Sequence, residues 1–326
     1  MLKETDTEAA NIIKVADCDH EAIDIERLVL HDVCIDLPWL HCRTEEEVVE
    51  QCADATGLLV QYAPLTRAVL SRLPKLRWIV RYGVGVDTID LPAAAERGVI
   101  VSNVPDYGTD EVSDHALALL LALNRKIVVA NRSVREGVWD YSTLRPARRL
   151  RTLTLGIIGL GRIGEALAAK ARGIGLNIVA SDPYRVVGGV PDYVRMIDLD
   201  ELLAVSDLVS VHCPLNEETA LLLGEDAIRR MKRSACLVNT ARGKIVDEEA
   251  LDRALSEGRL AGAALDVFGR EPVRPDHPLL RHENFLCTPH MAWYSEESAL
   301  ELKRKAAEEM RRLVRHETPL YQVGSA

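Results

Sequence analysis

Residues 155–164 read LGIIGLGRIG, an apolar run that ends in Gly159, Gly161 and Gly164 in the order G-x-G-x-x-G. A buried strand entering this loop, with RIGEALAAKARG leaving it as a helix, makes a cradle for a diphosphate. Gly159 permits the tight turn, Gly161 lets the backbone approach a pyrophosphate, and Gly164 lets the helix pack on the strand. The amides that open the helix, at Arg162 and Ile163, then face the anion. The next apolar run ends at Asp182, 18 residues beyond Gly164. A carboxylate at that spacing accepts both hydroxyls of an adenosine ribose and repels a 2′-phosphate, which favours NAD(H) over NADP(H). Arg185 nearby carries the opposite charge and would accept such a phosphate.

Four further apolar runs end on polar residues. His212, Cys213 and Pro214 follow 208–211, and Thr240, Ala241, Arg242 and Gly243 follow 236–239. Asp266, with Glu271 a few residues on, follows 261–265, and Thr288, Pro289 and His290 follow 285–287. Ligands of open parallel sheets bind beyond the carboxyl ends of the strands. One cation, two acids and one imidazole thus converge on the edge that carries the glycine loop. Hydride transfer to an anionic keto acid uses such a set: arginine for the carboxylate, histidine for the proton, and an acid to keep the histidine charged. His212 reads as a packed histidine. Asp247, Glu248 and Glu249 read as the acidic first turn of a helix.

The elements that must position these groups alternate in type. Apolar runs at 12–16, 58–62, 78–81 and 99–102 read as strands, with helical stretches between them, 21–30 among them. A second series of strands is expected at 153–158, 177–181, 208–212, 236–240, 261–267 and 285–287. One long helix is expected over 109–135, opened by Thr109-Asp110-Glu111, and a last helix over 296–315. The fold class is therefore α/β: two Rossmann-like or flavodoxin-like parallel-sheet domains with a cleft between them. The substrate domain is discontinuous, residues 1–104 plus 294–326. Residues 105–293 form the NAD-binding domain.

Composition agrees with this. A length of 326 residues suits two domains. A hydrophobic share of 48% and a charged share of 28% disfavour disorder. Only 2 Phe, 8 Tyr and 4 Trp are present, so the core is aliphatic, as in strands buried on both faces. The balance of 40 Lys+Arg against 50 Asp+Glu argues against a direct nucleic-acid partner. No apolar run reaches about 18 residues, so no membrane span is expected. Residues 1–11 lack the apolar centre of a signal segment. The 7 scattered cysteines, without a CxxC pair, suggest neither a disulfide framework nor a metal site. The expected compartment is the reducing cytoplasm. The arginines at 145, 148, 149 and 151 read as a surface or subunit-facing loop.

Together the segments RYGVGVDTID (81–90), LGIIGLGRIG, NTARGKIVDEEAL (239–251), GAALDVFGREP (262–272) and TPH (288–290) resemble the D-isomer-specific 2-hydroxyacid dehydrogenases. The likeness runs from about residue 58 to 315. TPHMAWYSEES (288–298) and SDPYR (181–185) are most similar to the C-terminal-binding-protein branch, which also carries a tryptophan three residues after the histidine. The resemblance implies reversible NAD(H)-dependent hydride transfer between nicotinamide and a 2-keto or 2-hydroxy acid. Arg242 would bind the substrate, His290 would be the general acid/base, and Glu271 would pair with it. Asp266 would orient the nicotinamide amide. The backbone of Tyr82, Gly83, Val84 and Gly85 would cradle the substrate carboxylate. Thr109, Cys213, Pro214, Thr219, Thr240 and Ala241 would line the cofactor. Trp293, three residues after His290, reads as an aromatic wall of the substrate pocket, suited to an apolar or bulky side chain on the keto acid. The family also dimerises through an arm at about 110–150, which implies a homodimer or a tetramer built from it. The competing class is an NAD(H)-sensing scaffold or corepressor, as in the animal members of that branch. Lys244 and Asp114 depart from the family's usual glycine and glutamate.

Overall fold

A computed structural model describes residues 11–34, 36–185 and 189–324. The reading of the first ten residues as free of a signal centre lies outside the described residues. The chain divides into two compact units, Met1–Gly108 with Ser295–Ala326, and Thr109–Tyr294.

In the first unit, strands β1 (Ile13–Val15), β2 (Gly57–Val60), β3 (Trp78–Arg81) and β4 (Ile100–Ser102) pair in that order, all parallel. Trp39 bridges β1 in parallel on its other side. The order is therefore flavodoxin-like, with its second strand shortened to one bridge. The segment Gln322–Val323 closes the far edge antiparallel to β4, where an all-parallel series was expected. A strand of two residues carries too little periodicity to be read from sequence. Every residue of β2 is buried, as expected for a strand covered on both faces. Leu58, Val60, Leu70, Leu73 and Ile79 build the aliphatic core beside it.

The second unit holds seven parallel strands: β5 (Thr154–Ile158), β6 (Asn177–Ser181), β7 (Val194–Met196), β8 (Leu208–Val211), β9 (Cys236–Asn239), β10 (Gly262–Leu265) and β11 (Phe285–Cys287). Their order in the sheet is β11-β10-β9-β8-β5-β6-β7. Strand order reverses between β5 and β8, so the crevice beyond these two carboxyl ends is the ligand position of a Rossmann sheet. Strands β8, β9 and β10 are buried along their whole length. The apolar run at 261–267 is longer than its strand because Asp266 and Val267 already belong to the loop that carries the site.

The single helix expected over 109–135 is two helices, Thr109–Arg125 and Ile127–Arg135. Lys126 between them has φ +53°, a left-handed turn that interrupts the helical hydrogen bonds. Its ammonium reaches the Arg145 carbonyl at 3.4 Å, and Asn124 reaches the Arg148 carbonyl at 3.2 Å. Asn124 and Lys126 are thus spent on the returning chain. The first helix buries Val112, Ala116, Leu119, Leu120 and Leu123, whereas the second buries no residue. Among the described residues no helix is long and apolar enough to cross a membrane.

Candidate active site

The glycine loop leaves β5 as its spacing requires. Gly159 has φ +89°, and a β-carbon there would lie 2.6 Å from the Cys213 amide nitrogen. A β-carbon on Gly164 would collide with the Gly159 carbonyl. The helix that follows, Arg162–Gly173, has no side-chain cap, and its first backbone bond runs from Glu165 N–H to the Gly161 carbonyl at 2.9 Å. The amides of Arg162 and Ile163 therefore open the helix, and the space over Gly161 is clear. An uncapped positive helix end facing open space fits a dinucleotide diphosphate.

Asp182 stands at the end of β6. Its carboxylate accepts from the Leu160 amide at 2.9 Å and the Tyr184 amide at 3.0 Å. Those two bonds fix its direction and leave further lone pairs for ribose hydroxyls. Arg185, the cation that would welcome a 2′-phosphate, is instead paired with Glu165 and donates to the Gly189 carbonyl at 2.7 Å. Thr240 Oγ1 is buried with no protein partner, an orphan that a cofactor group would satisfy. Thr219 spends its hydroxyl on the Pro214 carbonyl at 2.6 Å and so shapes the Pro214–Thr219 turn. Burial pushes the Cys213 thiol up to about 11, which keeps it protonated. His212 is a packed residue: its Nε2 pairs with Ser210 Oγ at 2.8 Å, and burial lowers its pKa to about 4.

Arg242, Glu271 and His290 follow β9, β10 and β11. Asn239, fully buried at the end of β9, accepts from the Ala241 amide at 2.9 Å and donates to the Arg242 carbonyl at 2.8 Å. Those two bonds close the turn that carries the arginine. A β-carbon on Gly243 would collide with the Phe268 backbone, so this turn lies directly against the loop of Glu271. Glu271 Oε2 is 2.6 Å from His290 Nδ1, and Oε1 accepts from the Phe268 amide at 2.8 Å. Burial pushes the Glu271 carboxyl up. The His290 hydrogen bond, the Phe268 amide and the Arg242 charge outweigh it and hold the carboxyl below its usual range. The two side chains are 35% and 36% exposed, so the pair is open to a substrate. With Nδ1 held by the carboxylate, Nε2 is the ring nitrogen left for proton transfer.

Asp266 is 1% exposed, and its carboxylate holds the turn that carries His290. It accepts from Thr288 Oγ1 at 2.5 Å and from the Met291 and Ala292 amides at 2.9 Å each. Trp293 Nε1 donates to the His290 carbonyl at 3.1 Å, tying the indole to the same turn. Glu248 does more than favour a helix start. It accepts from the Gly269 amide at 2.6 Å and meets His277 Nε2 at 3.0 Å, which anchors the Glu271 loop. From the sequence Asn239 had no role, and Glu248 had that of a helix start alone. The asparagine inside an otherwise apolar strand was the available signal.

Within the first unit, Tyr82 is buried and donates to Glu26 Oε1 at 3.1 Å, so only its backbone belongs to the 82–85 loop. The Gly83 carbonyl accepts from the Val104 amide at 3.0 Å and the Val84 carbonyl from Asn103 Nδ2 at 2.6 Å. Thr109 heads its helix at the start of the second unit.

A Rossmann sheet with an uncapped helix end behind its glycine loop, an acid at the end of β6 and an Arg, Glu–His set on one edge has the parts a nicotinamide-dependent dehydrogenase needs. Comparison with known proteins narrows this. Residues 117–292 match the D-isomer specific 2-hydroxyacid dehydrogenase, NAD binding domain. The chain is 43% identical over 277 residues to glyoxylate reductase of Korarchaeum cryptofilum (strain OPF8), covering 84% of this chain and 83% of that protein. It is 39% identical over 285 residues to glyoxylate reductase of Thermofilum pendens (strain DSM 2475 / Hrk 5), covering 85% and 83%. The crystal structure of D-lactate dehydrogenase from Aquifex aeolicus complexed with NAD and lactic acid superposes with a TM-score of 0.87 at 28% identity, covering 97% of this chain and 100% of that one. The chain belongs to the D-isomer-specific 2-hydroxyacid dehydrogenase family. It is an NAD-dependent oxidoreductase acting on 2-hydroxy acids.

Proposed function

We propose that this chain reduces short 2-keto acids, glyoxylate to glycolate foremost and longer ones to D-2-hydroxy acids, and that the reaction is reversible. The observation that carries the reading is the His290–Glu271 pair, 2.6 Å apart on the sheet edge that also bears Arg242 and the glycine loop. Bound NADH supplies the hydride. Arg242 binds the substrate carboxylate and polarises the keto group, and His290 gives its Nε2 proton to the keto oxygen. Glu271 holds Nδ1 and orients the ring. Asp182 receives the adenosine ribose, and Thr240 and Cys213 line the cofactor. The Tyr82–Gly85 loop supplies backbone N–H groups suited to a carboxylate. Trp293, tied to the His290 turn, is one wall of the substrate pocket, and the relatives' names favour a smaller acid than the apolar or bulky one expected from that wall.

The glyoxylate reductase names of the relatives support a small substrate. They also favour turnover over a dinucleotide-sensing scaffold, as does the complete Arg–Glu–His set. The likeness of residues 288–298 to the C-terminal-binding-protein branch is kept as a kinship of the active-site turn. The test is a panel of 2-keto acids of rising length with NADH and with NADPH. The expected result is the highest kcat/KM for glyoxylate with NADH. Asp182→Ser is expected to shift the NADPH/NADH ratio by about tenfold, the worth of roughly 1.4 kcal/mol of charge repulsion. No turnover on any 2-keto acid would overturn the assignment. Equal rates with long acids would overturn the choice of substrate.

The reading includes a homodimer through the arm at 110–150. Ile127 is 55% exposed, Val134 50%, Trp139 88% and Tyr141 76% in the single chain. An apolar stretch of this kind marks an association surface. Arg148 ties the arm to its own unit through Asp207 at 2.9 Å. Trp139→Glu is expected to lower the mass seen by light scattering from dimer towards monomer, and an unchanged dimer would remove the arm from the interface.

A further inference from the structure

His115 stands behind the catalytic turn and takes no part in the reaction as proposed. It lies in the second turn of the helix Thr109–Arg125. Its Nε2 is 2.9 Å from Thr288 Oγ1 and 3.8 Å from Asp266 Oδ1, with 20% of the side chain exposed. Thr288 Oγ1 in turn donates to Asp266 Oδ1 at 2.5 Å. A hydroxyl carries one proton. Because that proton goes to Asp266, the Thr288 oxygen accepts from His115, and Nε2 must carry a hydrogen. The relay ends on His290 itself. Asp266 holds the Met291 and Ala292 amides with its carboxylate and the His290 amide, at 2.8 Å, with its carbonyl.

His290 needs such holding. Its φ of +53° is left-handed, a conformation that strains a residue other than glycine and persists only where the surroundings impose it. A buried carboxylate likewise keeps its place only while its hydrogen bonds are filled. We infer that His115 is a positioning residue for the acid–base step. By donating to Thr288 it locks the Thr288–Asp266 bond, and through it the turn that aims His290 Nε2. The inference rests on the reading of His290 as proton donor.

The test pairs two variants of the full chain. His115→Met keeps the reach of the side chain and removes the donor. His115→Gln sets an amide N–H close to the place of Nε2. The expected result for His115→Met is a kcat lowered about tenfold or more, with KM for NADH and for glyoxylate within about threefold of wild type. His115→Gln is expected to recover most of that kcat, which a purely steric role would not predict. Equal losses in both variants, or wild-type kcat in His115→Met, would overturn the positioning role. His290→Gln is assayed beside them. If it is inactive while His115→Met turns over normally, only the positioning role fails. If it turns over normally, the reading of His290 fails.

Discussion

His290→Ala is expected to lower kcat for keto-acid reduction by about 10²–10⁴-fold, the usual worth of a positioned acid–base group. The KM for NADH should stay near wild type, because the cradle at Gly159–Gly164 and the acid at Asp182 are built on other strands of the sheet. Steady-state kinetics read both numbers, and wild-type turnover on glyoxylate would sink the assignment. Glu271→Gln separates charge from geometry at the same place. The amide still meets Nδ1, yet the negative charge 2.6 Å from the ring is gone. The carboxylate both fixes the ring and faces it with charge, so kcat is expected to fall by about tenfold or more while the KM for NADH stays near wild type. A wild-type kcat in Glu271→Gln would show that the charge plays no part in the step.

Arg242→Lys is expected to lower kcat/KM for glyoxylate by about 10²-fold, the worth of roughly 3 kcal/mol for a charge-assisted bond to a carboxylate. The charge is kept, so the loss reports geometry. A guanidinium presents a flat fork that grips a carboxylate and a carbonyl together, and an ammonium is a point. The turn leaves little room to adjust. Asn239 fastens both ends of it, and Gly243 packs on the Phe268 backbone. The loss should fall on kcat as well as KM, because the arginine acts on the carbonyl that becomes an alkoxide. A lysine variant with wild-type kcat/KM would move the substrate cation elsewhere.

Much of the architecture was legible because its determinants are local. Trp78–Arg81, Asn177–Ser181 and Phe285–Cys287 have the bounds read from the apolar runs. The last helix ends one residue earlier than expected, at Val314. The helix pair at 109–135 was not legible. Its residues have helical periodicity throughout, and only the hydrogen bonds of Asn124 and Lys126 to the carbonyls of Arg148 and Arg145 show why it breaks. The short antiparallel strand at Gln322–Val323 was missed for want of a period.

The site divides in the same way. The glycine spacing, the acid 18 residues on, and an arginine, a glutamate and a histidine each just past an apolar run are properties of the chain itself. They determine which polar residues share one sheet edge, because strand ends of a parallel sheet converge by topology alone, and so they point to a dinucleotide site beside a proton-transfer pair. What those residues bond to was decided by tertiary structure. Asp266 serves the His290 turn, Arg185 is paired with Glu165, Glu248 anchors the Glu271 loop, and His115 meets Thr288 across 173 positions of sequence. A buried polar group takes whichever partner the packed chain brings within about 3 Å, and local sequence carries no record of that distance.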